Sequence, residues 1–450
     1  MPALPFADIA AEVSDLRVRD GDGYDAARER VSWNKRLDKT RSPDAIVACA
    51  SADEVAAAIR FASAHGLKVS PRGSGHHYEA AALRDGGLMI DLAGLDHVEI
   101  DEDGRKARVG ASVAGGALSE TLAARNLAFP VGHCSDVGLG GYLLSGGFGW
   151  NGGEWGAACG NVAAIEMVTA DGEIVTASAE SHADLFWAAR GGGSGFFAAI
   201  TAYHLDLHSL PPVTLTWRAT FAVNDAPALA DWLTAATAAA HPAVEVGCFL
   251  LAHRHTGAPS VLLRISVCAD SEDEARARIG SFDSPPREVS QRAEIVSEVI
   301  PFTELFQMSP MPSGKRVAAD HLWSESPLGE LLLAVHDLRA PSRHASINLV
   351  AFGGHSRAAL PPDAALSVGG GTGIGIYALW DDAADDAANR AWVRRVDDAL
   401  APVRAGRYVG EADLTAGSER LAECFTPGAL ARLGELRRRY DPEGLFHTWP

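Results

Sequence analysis

Two glycine-rich turns govern this chain. The first is Pro71-Arg72-Gly73-Ser74-Gly75-His76-His77-Tyr78. The second is Gly132-His133-Cys134-Ser135-Asp136-Val137-Gly138-Leu139-Gly140-Gly141. Glycine lets a backbone approach a flat or phosphorylated ligand closely and supplies the positive φ that tight turns need. Each turn also carries one nucleophilic side chain, His76 in the first and Cys134 in the second. Together they point to a ligand gripped from two sides, with covalent attachment open to both. Two further runs, around Gly146 and Gly192, make four such segments in one stretch, more than loop punctuation requires. Backbone N–H groups in glycine turns can cradle a pyrophosphate without any side-chain charge.

The scaffold around these turns alternates strands and helices. Residues 43–47 read as a strand. Ser51 then caps a helix with Glu54 at capping-box spacing, and Val55, Ala58, Ile59 and Ala62 recur on one helical face. Residues 67–70 deliver the first glycine turn as a strand. Further strands are expected at 88–92, 106–110, 162–169 and 200–207, with a hairpin at Asp171-Gly172. After Pro211-Pro212 the texture changes to strands among alanine-rich helices, the pattern of an α+β domain with an antiparallel sheet. The predicted division is residues 1–210, residues 211–425, and a return of 426–450 to the first domain. A length of 450 residues suits two or three domains.

Charge and composition exclude several classes. Net charge is −19, which opposes binding to nucleic acid or to an anionic membrane. No apolar run reaches the roughly 18 residues of a membrane span. The stretch Met1 to Asp8 has neither the basic start nor the apolar core of a signal peptide, so a cytoplasmic location is expected. The six cysteines are scattered without a Cys-x-x-Cys pair, which disfavours a disulfide framework or a zinc site. His76-His77 and the pair His253 and His255 lack metal-ligand spacing, so no metal is expected. Gly147-Phe148-Gly149-Trp150-Asn151-Gly152 matches a dinucleotide fingerprint, but no clear strand precedes it and no long helix follows. No Gly-x-Ser-x-Gly elbow is present.

Several segments resemble the berberine-bridge-enzyme-like FAD-linked oxidases of the vanillyl-alcohol-oxidase and p-cresol-methylhydroxylase flavoprotein group. Residues 72–79 resemble that family's R-S-G-G-H-S-Y-E turn, and residues 132–141 resemble G-x-C-P-x-V-G-x-G-G, with Ser135-Asp136 in place of P-x. Residues 145–149 are similar to S-G-G-G-Y-G, residues 184–193 to D-L-F-W-A-hydrophobic-x-G-G-G, and residues 440–446 to Y-D-P-x-N-x-F. The resemblance covers residues 43–207 and the tail and is weak between them. It implies a two-domain α+β FAD-binding fold of the p-cresol-methylhydroxylase type, with an antiparallel-sheet substrate domain covered by helices. It implies FAD bound twice, through His76 to the 8α-methyl carbon and Cys134 to C6. Arg72, Gly73, Ser74, Gly75, His77, Val137, Gly138, Gly140, Gly141, Tyr142, Gly146, Gly147, Gly149, Ile165 and Phe446 complete the implied cofactor site. Val137 stands where oxygen-reactive members carry valine, which implies O2 as acceptor.

The catalytic base is less plainly marked. Where the family shows Y-h-N-Y, this chain reads Tyr408-Val409-Gly410-Glu411, and the residue before Gly353-Gly354 is a phenylalanine. Glu411 is either a buried base or a solvated loop carboxylate. Tyr408 and His355 are the other candidates. Gly371, Gly373, Gly375 and Tyr377 fall on one strand face, which reads either as a roomy, flat-walled substrate pocket or as tight packing. The expected activity is oxidation of a bulky alcohol, amine or hydroquinone in specialised metabolism, by a monomer or homodimer. A sugar oxidase and a flavin-carrying drug-sequestering protein are the alternatives.

Overall fold

The computed structural model describes residues 6–37, 39–290, 293–309 and 313–450. Strands Asp15–Val18, Ala45–Ala48, Leu88–Asp91 and Val69–Arg72 form one sheet in that order. Leu88–Asp91 pairs in parallel with both Ala45–Ala48 and Val69–Arg72. Parallel pairing needs a crossover, and helix Ala52–Ala64 provides it, burying Val55, Ala58, Ile59 and Ala62 against the sheet. The Ser51 hydroxyl caps that helix by accepting from Glu54 N at 3.2 Å. The Glu54 carboxylate does not close the box on Ser51. It accepts instead from Ala50 N at 3.2 Å and Ser14 N at 2.8 Å, so it also pins the outer strand.

A second, antiparallel sheet runs Val98–Asp101, Lys106–Gly110, Ala199–Asp206, Val162–Val168, Ile174–Ser178. The third is an eight-stranded antiparallel sheet in the order Glu294–Ile300, Val213–Ala222, Pro259–Ala269, Glu245–Ala252, Ser346–Phe352, Thr372–Trp380, Arg316–Ser324, Arg404–Arg407. Helices Ala226–Ala239, Leu328–Val335 and Asp386–Leu400 bury its outer face in one apolar core. This is the mixed helix-and-sheet architecture the sequence implies. Among the described residues no helix is long and apolar enough to cross a membrane.

The inner face of the eight-stranded sheet fixes what the site contains, because alternate residues share a face. Register sets Arg264, Gly247, Val350, Gly373 and Trp323 in one cross-strand row, and Leu262, Phe249, Asn348, Gly375 and His321 in the next. The glycines in these rows do not leave open space. A Cβ on Gly375 would lie 2.4 Å from the Tyr377 ring, and one on Gly247 would lie 2.4 Å from the Phe249 ring. Each glycine thus lets an aromatic ring two residues away lie flat across its own strand. The wall is flat as expected, but rings rather than vacancy make it so.

The tail joins the first sheet. Val69 N donates to Leu445 O at 2.9 Å, and His447 N donates to Val69 O at 3.1 Å. The Asp441 carboxylate holds the approach by accepting from Leu445 N at 2.5 Å and Phe446 N at 3.0 Å.

Candidate active site

The glycine turns and the inner face of the eight-stranded sheet enclose a cavity of about 1150 Å³. Ordinary small-molecule pockets run to roughly 300–1,000 Å³, so this one has room for a large cofactor with a substrate beside it. The two turns are locked together. Gly138 N donates to the Ser74 hydroxyl at 3.1 Å, and a Cβ on Gly138 would stand 2.8 Å from Ser74 Cβ. Gly75 has a φ of 75° with Val31 O directly against it, so only glycine fits there. Arg72 braces its own turn, donating to Asp91 Oδ1 at 2.8 Å and to Ser74 O at 2.7 Å. Its guanidinium is therefore committed to the protein.

Of the residues singled out from sequence, Arg72, Gly73, Ser74, Gly75, His76, His77, Cys134, Val137, Gly138, Gly140, Gly141, Tyr142 and Gly149 line this cavity, as do Tyr408 and Glu411. Five others do not. Gly146 and Gly147 pack against Leu366 and the Tyr142 ring, positions that a side chain would overfill. Ile165 is fully buried in the core behind the second sheet. Phe446 is the strand partner of Val69 and faces the first sheet's core. His355 sits exposed at a left-handed turn with φ 54°, off the cavity wall, which corrects its candidacy as a base.

His76 is tightly framed. Its ring stacks on Trp33 at 4.7 Å, and its Nε2 lies 3.3 Å from Asp136 Oδ1. The imidazole holds the Asp136 carboxyl below its usual range. Burial, with Arg84 and Arg41 nearby, pulls His77 down to about 4, so it is neutral. Its Nδ1 accepts from Glu79 N at 3.1 Å, which puts the ring proton on a buried Nε2 that has no protein partner. The Cys134 thiol donates to Ser309 O at 3.5 Å. Burial pushes it up to about 12, Asp136 and Glu411 add to the rise, and Arg264 opposes them.

Glu411 lies where these groups converge. Its Oε2 accepts the Tyr377 hydroxyl at 2.5 Å. Burial raises its carboxyl above the usual range, opposed by the Tyr377 hydrogen bond and by His76 and His133. Tyr408 accepts from Gly147 N at 3.3 Å, and burial keeps its phenol neutral. Sequence reasoning passed over the charged corner beyond Cys134. There the Glu245 carboxylate takes His133 Nε2 at 3.0 and 3.2 Å. Arg264 lies between the Trp150 and Phe249 rings at 4.9 and 4.7 Å and donates to Met308 O at 2.9 Å. Only the strand register brings Glu245 and Arg264 here. His321 also lines the wall, pulled down to about 3 by burial and so uncharged. Among the described residues no cluster could hold a metal ion.

Comparison with known proteins shows what this geometry is similar to. Residues 43–178 match the model of an FAD binding domain. The (R)-6-hydroxynicotine oxidase of Paenarthrobacter nicotinovorans is 29% identical over 95% of this chain and 94% of its own. An FAD-linked oxidoreductase of Hypoxylon pulicicidum is 26% identical over 93% of each chain. The solved berberine-bridge-enzyme-like protein 1 of Physcomitrella patens superposes with a TM-score of 0.86 over 98% of this chain and 97% of that one, at 19% identity. The chain carries an FAD binding domain, is similar over nearly its whole length to FAD-linked oxidoreductases, and shares the fold of berberine-bridge-enzyme-like proteins. The residues of this oxidoreductase fit FAD: the interlocked glycine turns would be filled by any side chain at Gly138, and the unpartnered His77 Nε2 proton is a donor awaiting an acceptor.

Proposed function

We propose that this oxidoreductase is an oxidase that takes two electrons from a bulky alcohol, amine or hydroquinone. FAD would be held covalently by both His76 and Cys134. Bound FAD supplies the two-electron acceptor, and dioxygen is the proposed terminal acceptor, leaving as hydrogen peroxide. Glu411 is the base. With Oε2 occupied by the Tyr377 hydroxyl, Oε1 takes the proton from the substrate's O–H or N–H. The raised carboxyl suits that task, since a base works best when its pKa approaches the working pH. Tyr377, Tyr408 and Trp323 orient the substrate as a ring-lined wall and exclude water. Neutral His321 adds polarity without charge. The similarity to an (R)-6-hydroxynicotine oxidase favours an amine or alcohol over a sugar. The division into residues 1–210, 211–425 and 426–450, and a cytoplasmic location, belong to the same proposal.

The convergence of His76, Cys134 and Glu411 on one cavity carries this reading. Mass and visible absorption of acid-denatured protein test it. Wild type should retain yellow colour and the added mass of one FAD. H76A and C134A should each keep it, and the double variant should lose it. A colourless protein that stays so when supplied with FAD refutes the cofactor reading. Absence of peroxide across a panel of alcohols, amines and hydroquinones would favour a sequestering protein.

A further inference from the structure

The cavity mouth carries charge of the opposite sign to the chain, whose net charge is −19. Arg254, Arg343 and Arg357 all line it from exposed positions, with His253 and His344 beside them. Arg357 is balanced by Glu325 at 3.2 Å. Nearby Lys315 is balanced by Asp381 at 2.5 Å. Among the described residues Arg254 and Arg343 have no carboxylate partner, and Arg254 Nε meets only His255 Nε2, at 2.8 Å. Leu251 pairs with Ser346 on adjacent antiparallel strands, and Arg254 and Arg343 each lie in a turn three residues beyond that pair, at the same end of the sheet.

We propose that Arg254 and Arg343 form an anion subsite, and that the substrate carries a compact anionic group, carboxylate or phosphate, on a largely apolar framework. This rests on the proposed function, because it takes the cavity to be the substrate site. The physical reason is direct. Two unpaired guanidinium groups repel each other and offer several N–H donors, a combination relieved by an oxyanion that accepts from both. A positive rim on an acidic protein also steers anions to this mouth in preference to the rest of the surface. The strand register supplies a ruler. Tyr377 shares the row of Leu251 and Ser346, and the arginines lie three residues beyond it. Three residues of chain span at most roughly 10 Å, which bounds how far the arginine backbones stand from the Tyr377 row. The intervening wall carries Leu251, Tyr377 and Leu379, which suits an apolar or aromatic spacer.

The experiment uses the holoenzyme and two matched probes, 4-hydroxycinnamate and its methyl ester, titrated while the visible absorption of the bound flavin is followed. Wild type should bind the carboxylate about tenfold more tightly than the ester at low ionic strength, an exposed charge-assisted contact being worth that much. The preference should shrink as salt is added. R254Q/R343Q should lose the preference while binding the ester as wild type does, and R254K/R343K should keep part of it. Equal binding of the two probes by wild type, or a preference that survives in R254Q/R343Q, overturns the anion subsite alone. A flavin spectrum indifferent to both probes overturns the substrate-cavity reading and the subsite with it.

Discussion

Replacing Tyr377 with phenylalanine removes one hydrogen bond and leaves the ring over Gly375 in place. The Tyr377 hydroxyl donates to Glu411 Oε2 at 2.5 Å, and this contact opposes the upward shift that burial imposes on the carboxyl. A hydrogen bond to a charged group contributes about 1.5–3 kcal/mol. Since about 1.4 kcal/mol corresponds to one pKa unit, losing it should move the Glu411 carboxyl upward by roughly one to two units. The direction is fixed because the bond favours the ionised form. Infrared difference titration of the carboxyl band reads this without any substrate, and E411Q, which lacks the group, identifies the band. The acidic limb of the pH–rate profile should rise by the same amount. A carboxyl that titrates unchanged or lower in Y377F would refute the assignment of the pair.

Other outcomes follow from the same geometry. Glu411 is raised in the folded state, so any stability it contributes is present at low pH and lost as pH rises through its folded value. E411Q should therefore gain stability over wild type at pH 8 and not at pH 5, while kcat falls by about 10²–10⁴; thermal unfolding at the two pH values checks the first part. Asp320 is buried and pairs with Arg407 at 2.8 Å and with Arg420, while its other oxygen accepts Asp413 N at 3.3 Å, close to Glu411. D320A should lose about 3 kcal/mol in denaturant unfolding, the low end for breaking a buried pair, because Arg407 and Arg420 lose a shared carboxylate but keep Asp397; an unchanged midpoint would count against that. G138V should lose about 1–3 kcal/mol and fail to retain FAD on gel filtration, since its side chain would collide with Ser74; a yellow, stable G138V would show that the turns need not touch.

Much of the cofactor side was legible in the sequence because it is local. The strand over Val69–Arg72 ends in its glycine turn, Ser51 caps its helix, the residues from Arg72 to His77 line the cavity consecutively, and six of the nine from Cys134 to Tyr142 line it too. Gly146 and Gly147 belong to the same motifs yet serve packing, a distinction that depends on where Leu366 and Tyr142 come to rest. The substrate side was hidden. Its wall is assembled from strands whose spatial order departs from chain order, so Glu245, Arg264, His321 and Tyr377 come to share one wall only through register. The glycine–aromatic pairs were visible as spacing, but nothing in spacing says that a ring folds back over its own strand.

The pairing of Val69 with Leu445 and His447 has a consequence for biosynthesis. The strand that presents the His76 turn gains its outer neighbour only after residue 447 has left the ribosome. Trp449 Nε1 reaching Gly192 O at 3.0 Å closes a second glycine run just as late. A nascent chain stalled between Gly195 and Leu445 would hold every glycine of these runs and still lack the clasp. The cradle is therefore completed by pairing across more than 370 positions of sequence, not by local folding of the glycine turns.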